Sequence, residues 1–189
     1  LKVALLVLFV LNFSWIAIAF TSGIVGFAWL LFSRARAPAP PEALRETTAV
    51  VMPIYNEAPS RVFAAVEAMI ADVAKTGHGA HFEWFFLSDT TNPDVWIAEE
   101  RAFLALRERL GQTAKVYYRR RPKNTARKAG NIADFVTRWG GAYAHMVVLD
   151  ADSLMTGDTI VALAAAMEAD ADSGIIQSLP LIKIGRAHV

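Results

Sequence analysis

"AHMVVLDADS", Ala144 to Ser153, is an apolar run that ends by presenting two carboxylates, Asp150 and Asp152, with only Ala151 between them. Acids this close repel one another, so they sit best at a solvated turn or where a cation holds them together. In an extended turn both carboxylates of such a D-x-D reach the same side, about 6–7 Å apart at the backbone. That suits a hard divalent cation, which takes oxygen ligands and keeps water and phosphate oxygens in its remaining positions. A D-x-D by itself can equally be a solvated turn or a helix cap, so its surroundings have to decide.

Upstream and downstream of this run, apolar stretches alternate with helical patterns. "TAVVMPI" precedes a helical Ser60 to Lys75, "FEWFFLS" precedes Asp94 to Leu110, and "KVYY" precedes Arg127 to Trp139. "AHMVVLD" precedes Gly157 to Ala169, and "GIIQSL" reads as a further strand. The punctuation agrees: Pro59 stands where a helix begins, while Gly77 and Gly140-Gly141 follow helix ends. Repeated β-α alternation predicts an α/β fold, a mostly parallel sheet with helices on both faces. In such open sheets ligands bind beyond the carboxyl ends of the strands. Tyr55, Asn56 and Glu57 follow the first strand, Asp89 the second, and Asp150 and Asp152 the fourth, so three polar clusters are expected on one edge.

At 189 residues the chain holds one ordinary domain and little more. Leu1 to Phe32 contains one charge, Lys2, and far exceeds the roughly 20 apolar residues that cross a bilayer. We read residues 1–33 as a transmembrane segment, either one long, tilted helix or two segments parted at Thr21-Ser22-Gly23. A signal peptide fits less well, since its apolar region would be about 7–15 residues long and would end at an A-x-A-like site. Arg34, Arg36 and Arg45 follow the span, which predicts that the remainder faces the cytoplasm. Pro38, Pro40 and Pro41 mark residues 34–47 as a linker, and residues 48–183 form the globular part. The chain has no cysteine, which excludes disulfides and thiolate metal sites. The four histidines lack zinc-type spacing.

The net charge of +1 averages a nearly neutral chain with one basic segment, "YYRRRPKNTARKAGN", Tyr117 to Asn131, which contains no acid. It can be a solvated face, a nucleic-acid patch or a clamp for a diphosphate. Lys128, Gly130 and Asn131 lie in a small-residue turn entering a helix, where N–H groups and a cation can face an anion. Nucleic acid is not expected, because aromatic interleaving is confined to Tyr117 and Tyr118. Asp89 can accept hydrogen bonds from a base or ribose, or close a turn with Thr90 or Thr91. Glu57 can face a ligand or simply favour a helix start.

"VMPIYNE", "LSDT", "RKAGN" and "DADS", in that order after an apolar helix, resemble the family 2 glycosyltransferases. Within that family the wording is similar to the membrane glucosyltransferases of osmoregulated periplasmic glucan synthesis, notably in "MPIYNEAPSRVFA", "FFLSDTTNPD" and "YYRRRPKNTARKAGNIADF". The resemblance implies a GT-A-like nucleotide-diphospho-sugar transferase domain and an inverting hexosyltransferase in the bacterial inner membrane. It implies a UDP-glucose donor, a growing β-glucan acceptor and a divalent cation, Mg²⁺ or Mn²⁺. It places Pro53, Tyr55, Asn56 and Glu57 in the nucleotide pocket and Asp89 at the uridine. Lys128 and Asn131 would serve the phosphates and the pocket, and Asp150 and Asp152 the cation and diphosphate.

Such enzymes also carry an acid that acts as general base, a later Q-x-x-R-W-like motif and several further membrane helices, none of which appears before Val189. The expectation is therefore a fragment holding the donor-binding half and inactive alone. Ile184 to Val189 reads as a foreign tail, matching one translated frame of a common adapter sequence. The competing readings are another processive polysaccharide synthase of the cellulose-synthase-like kind, or a membrane-tethered nucleotide-binding module without catalysis.

Overall fold

A computed structural model describes residues 1–32 and 43–178, and it divides into an N-terminal unit and a globular unit. The N-terminal unit is one helix, α1, Lys2–Phe32. Lys2–Trp29 is long and apolar enough to cross a membrane, with a mean hydropathy of 2.5. No break occurs at Thr21-Ser22-Gly23: the Thr21 hydroxyl donates to the Ala17 carbonyl at 2.7 Å, so its polar group is satisfied inside the helix. The expected linker lies mostly in residues 33–42, outside the described residues, as does the expected tail at residues 184–189.

In the globular unit the strands are β1 Thr48–Ile54, β2 Phe82–Ser88, β3 Lys115–Arg120 and β4 His145–Val148. Between and after them run α2 Pro59–Lys75, α3 Pro93–Leu110, α4 Arg127–Trp139 and α5 Gly157–Ala169. All pairings are parallel, in the order β3-β2-β1-β4. Period-2 alternation divides the side chains between two cores. Val50, Met52 and Ile54 of β1 and Trp84 and Phe86 of β2 face α2, α3 and α5. Ala49, Val51, Phe85 and Leu87 face Phe135 of α4 on the other side. Both faces are covered, which is why these strands read as continuous apolar runs.

The amphipathic α2 buries Val62, Phe63, Val66, Met69, Ile70 and Val73, and Phe63 stacks on Phe86 with ring centroids 4.3 Å apart. Helix α5 packs against it through Gly157, where a Cβ would stand 2.5 Å from the Asp72 carbonyl group. The Gly157 N–H donates to the Asp72 carboxylate at 2.7 Å, so the absent side chain allows both the close approach and the hydrogen bond.

One expected strand is not formed. Within "GIIQSL", residues 174–178 have no strand pairing, and Ile175 is exposed. Apolar, β-branched composition favours extension, but a strand also needs a neighbour to complete its ladder, and this segment has none among the described residues.

Glu83 of β2 is buried and accepts hydrogen bonds from Lys115 Nζ of β3 and from the Tyr143 hydroxyl, both at 2.6 Å. Burial pushes its carboxyl up, but the bonds from Lys115 and Tyr143 outweigh that and hold it below its ordinary value of 4.5. A depressed carboxyl stabilises the fold above its unfolded value, and the contribution is lost as pH falls through the folded one. Glu83→Gln should therefore be less stable than the unaltered chain at neutral pH, with the gap narrowing below pH 4.5. Denaturant unfolding of both chains in detergent at pH 7 and pH 3 measures this, and a gap independent of pH would refute it.

Candidate active site

Chain direction at the sheet edge decides where a site can form. After β1, each parallel connection moves outward to β2 and then β3, with α2 and α3 on one face. The connection through α4 then returns past β2 and β1 to place β4 on the far side of β1, and α4 lies on the opposite face. Right-handed crossovers require that change of face when the direction reverses. Loops leaving β1 and β4 therefore diverge, and a crevice opens between their carboxyl ends.

A cleft of about 800 Å³ occupies this crevice. Pro53, Tyr55 and Glu57 line it from the end of β1, Asp89 from the end of β2, and Asp150 and Asp152 from the end of β4. Lys128 and Asn131 reach it from the first turns of α4. Asn56 is placed differently. It is not among the lining residues; its Oδ1 accepts from the Asn92 N–H at 3.2 Å, and its N–H donates to the Thr90 hydroxyl at 3.0 Å. Its backbone is left-handed at φ 59°, a conformation Asn tolerates better than most residues. Asn56 thus ties the loop after β1 to the loop after β2.

Arg61, Asn124 and Arg127 also line the cleft, and Arg121 stands directly behind it. Asn124, Arg127 and Arg121 belong to the basic segment, whose sequence does not reveal which cations turn inward, and Arg61 comes from the first turn of α2, which carried no such signal. Arg121 grips Asp89 with a two-point fork, Nε to Oδ1 at 2.7 Å and Nη2 to Oδ2 at 2.6 Å. Asp89 is 3% exposed, so its carboxylate is held by the protein as well as turned toward the cleft. The hydrogen bond to Asp89 pushes the Arg121 guanidinium further above its ordinary value, keeping it a cation.

Arg121 also donates from Nη2 to the carbonyls of Thr125 and Arg127, at 3.2 and 3.3 Å. Between these carbonyls the backbone is strained, with Ala126 at φ 55° and Arg127 at φ 50°. Left-handed non-glycine residues cost about 1–2 kcal/mol each and persist only where surroundings impose them. Gly130 completes the turn, because a Cβ there would collide with the Thr125 carbonyl. The strained turn delivers Arg127 and Lys128 to the cleft.

Lys128 Nζ forms an ion pair with Asp150, while Asp152 is exposed and has no ion-pair partner among the described residues. Asn131 is buried, donates from Nδ2 to the Leu87 carbonyl at 2.7 Å, and leaves Oδ1 without a hydrogen-bond partner among the described residues. No group of three metal-ligating side chains occurs among the described residues. The two aspartates could supply part of a hard-cation shell, the rest coming from water and phosphate oxygens. The cleft can therefore hold an anionic ligand between cations of α4 and carboxylates of β4.

Residues 49–188 match the model of glycosyl transferase family 2. The chain belongs to that family. It is 56% identical over 182 residues to "Glucans biosynthesis glucosyltransferase H" of Vibrio cholerae serotype O1, covering 96% of this chain and 25% of that protein. It is 53% identical over 180 residues to the protein of the same name from Shewanella baltica, covering 95% and 25%. The chain thus spans about a quarter of the length of the curated relatives it matches. A solved structure, the mannosyltransferase from Pyrobaculum calidifontis in complex with GDP-Man and Mn²⁺, superposes with a TM-score of 0.51 at 19% identity, covering 80% of this chain and 43% of the other. That likeness establishes the GT-A-like parallel α/β fold for the family 2 domain.

Removing Arg121 would leave the Asp89 carboxylate buried and uncompensated. Arg121→Met should cost roughly 3–5 kcal/mol of unfolding free energy. Arg121→Lys should recover part of that loss, because a single ammonium replaces the charge but not the fork. Denaturant melts of the three chains provide the check, and equal stability of Arg121→Met and the unaltered chain would count against the pair's role.

Proposed function

We propose that this chain is the donor-binding part of an inverting membrane glucosyltransferase that builds the β-glucan backbone of osmoregulated periplasmic glucans from UDP-glucose. The observation that carries the reading is the 56% identity over 96% of the chain to a glucans biosynthesis glucosyltransferase. The matched stretch of 182 residues, 96% of the chain, spans the cleft as well as the scaffold. In this reading α1 lies in the bacterial inner membrane and the family 2 domain faces the cytoplasm, where a UDP-sugar is available. The partners are the UDP-sugar donor, the growing glucan and the bilayer.

Pro53, Tyr55, Glu57 and Asp89 would line the nucleoside side, with Asn56 fixing the loop that carries them, and Lys128, Asn131, Asp150 and Asp152 would line the diphosphate side. In the transfer, an acceptor hydroxyl oxygen bonds to the anomeric carbon as the bond from that carbon to UDP breaks. The acceptor proton passes to a general base, expected in the part of the relatives' length that this chain does not span. Negative charge builds on the leaving diphosphate. Lys128 offers it a cation, and the first turn of α4 offers it backbone N–H groups. Asp150 and Asp152 would hold Mg²⁺ or Mn²⁺, which when bound supplies Lewis-acid stabilisation of the diphosphate. The pairing of Lys128 with Asp150 supports this assignment, since that carboxylate already accepts a cation at the cleft.

Two experiments test the reading. Calorimetric titration of the detergent-solubilised chain should give UDP binding that tightens by about tenfold or more with Mg²⁺ or Mn²⁺, equivalent to 1.4 kcal/mol. Asp152→Asn should abolish that gain without unfolding the chain, because Asp152 is exposed and adds little to the core. The isolated chain should transfer no glucose. Affinity indifferent to either cation, or a mutant that responds as well as the unaltered chain, would exclude the cation site. For topology, a reporter fused after Arg45 should register the cytoplasm; a periplasmic signal would reverse the orientation.

A further inference from the structure

Glu99 is the one acid placed among the core-facing residues of α3. It shares a stripe with Ala102, Phe103, Leu106 and Leu110, all of which pack into the larger core, and it is 1% exposed. A carboxyl at such a position is costly unless its oxygens are satisfied. Among the described residues it has no salt-bridge partner. Three hydroxyls serve it instead: Ser88 Oγ at 2.7 Å and Tyr118 OH at 2.9 Å to Oε2, and Thr90 Oγ1 at 2.5 Å to Oε1. An apolar side chain of similar volume would fill the space and commonly stabilises as much as a buried polar group. Stability alone does not explain Glu99.

The hydrogen-bond directions show what it controls. Thr90 Oγ1 accepts from the Asn56 N–H at 3.0 Å, so its single proton is free to go to Glu99. The chain runs from Asn56 N–H to Thr90 hydroxyl to Glu99 carboxyl, and it fixes a residue whose backbone is left-handed. Ser88 and Thr90 are the two neighbours of Asp89, and the Thr90 N–H also donates to Ser88 Oγ at 3.2 Å. Asp89 is thereby bracketed by two groups that both end on Glu99. Burial pushes the Tyr118 hydroxyl well above its ordinary value, which keeps it a donor to this acid.

We propose that Glu99 is a positioning residue for the nucleoside side of the donor cleft, acting through Thr90 on the loop after β1 and through Ser88 and Thr90 on Asp89. The proposal rests on the donor-site reading above. Asp89 is joined to the turn that carries Lys128 only through the Arg121 fork, which Glu99 does not touch, and among the described residues Lys128, Asp150 and Asp152 make no hydrogen bond to Ser88, Thr90, Glu99 or Tyr118. Glu99 should therefore influence recognition of a nucleoside diphosphate and leave recognition of a bare diphosphate alone, a split that a residue important only for folding would not produce.

The test measures binding of UDP and of inorganic pyrophosphate, each with Mg²⁺, to the full chain in detergent. Glu99→Gln replaces one of the two acceptor oxygens by an amide NH₂, so the three hydroxyls can no longer all donate to it, and Thr90→Val removes the relay at nearly constant volume. Each should weaken UDP by about tenfold, the scale of one buried hydrogen bond lost, while pyrophosphate affinity is unchanged. Thr90→Ser, which keeps the hydroxyl, should bind UDP as the unaltered chain does. Should Glu99→Gln fail to fold, the Thr90→Val and Thr90→Ser pair decides alone. Unchanged UDP affinity in Thr90→Val overturns the proposal and leaves the donor-site reading standing, and so does a parallel loss of UDP and pyrophosphate. An unaltered chain that binds pyrophosphate but not UDP overturns both.

Discussion

The handedness of parallel crossovers is the constraint on which this domain depends. Once β1, β2 and β3 step outward with their helices on one face, a return to the other side of β1 forces α4 onto the opposite face. That reversal separates the loops after β1 and β4 and makes room for the cleft. It also turns the first turn of α4 toward the opening, so the only basic segment of the chain meets the acids at the strand ends. A sheet extended in a single direction would have scattered these groups along its edge.

Opposite charges brought together in this way must be managed, and the domain does so by degree of burial. Asp89, nearly inaccessible, is held by two parallel hydrogen bonds from Arg121, which compensate the loss of hydration. Asp150, at the open edge, pairs with the flexible ammonium of Lys128, and both side chains are about half exposed. An exposed pair contributes little to stability, so it can exchange partners at little cost. The contrast separates a rigid side of the cleft, built on β2 and α3, from an open side whose charges can exchange partners.

The rigid side also accounts for the strained backbone. Asn56, Ala126 and Arg127 all hold left-handed conformations beside the cleft. Each is secured by a group from another strand or loop: Asn56 by Thr90 and the loop before α3, and the turn at Ala126 by Arg121. Strain maintained from outside the loop that bears it is characteristic of sites whose geometry is set before a ligand arrives.

Much of this was legible in the residues themselves. Continuous apolar strands with helical spacing between them imply a two-sided parallel sheet, because only a strand buried on both faces lacks polar alternation. Polar groups just after those strands imply the functional edge, and "DADS" and "RKAGN" drew attention to residues that do share one cleft. Pairing and partners were not legible. "GIIQSL" has strand composition, yet residues 174–178 form no ladder among the described residues, since a strand depends on its neighbour. Thr21-Ser22-Gly23 is polar enough to suggest a break, but a hydroxyl can bond to its own helix, and α1 runs through. Nor could sequence tell that Arg121, among three consecutive arginines, is the one that grips Asp89, or that the hydroxyls of Ser88, Thr90 and Tyr118 meet on Glu99. Both depend on the direction of a side chain relative to residues on other strands and loops, and only the tertiary structure sets that direction.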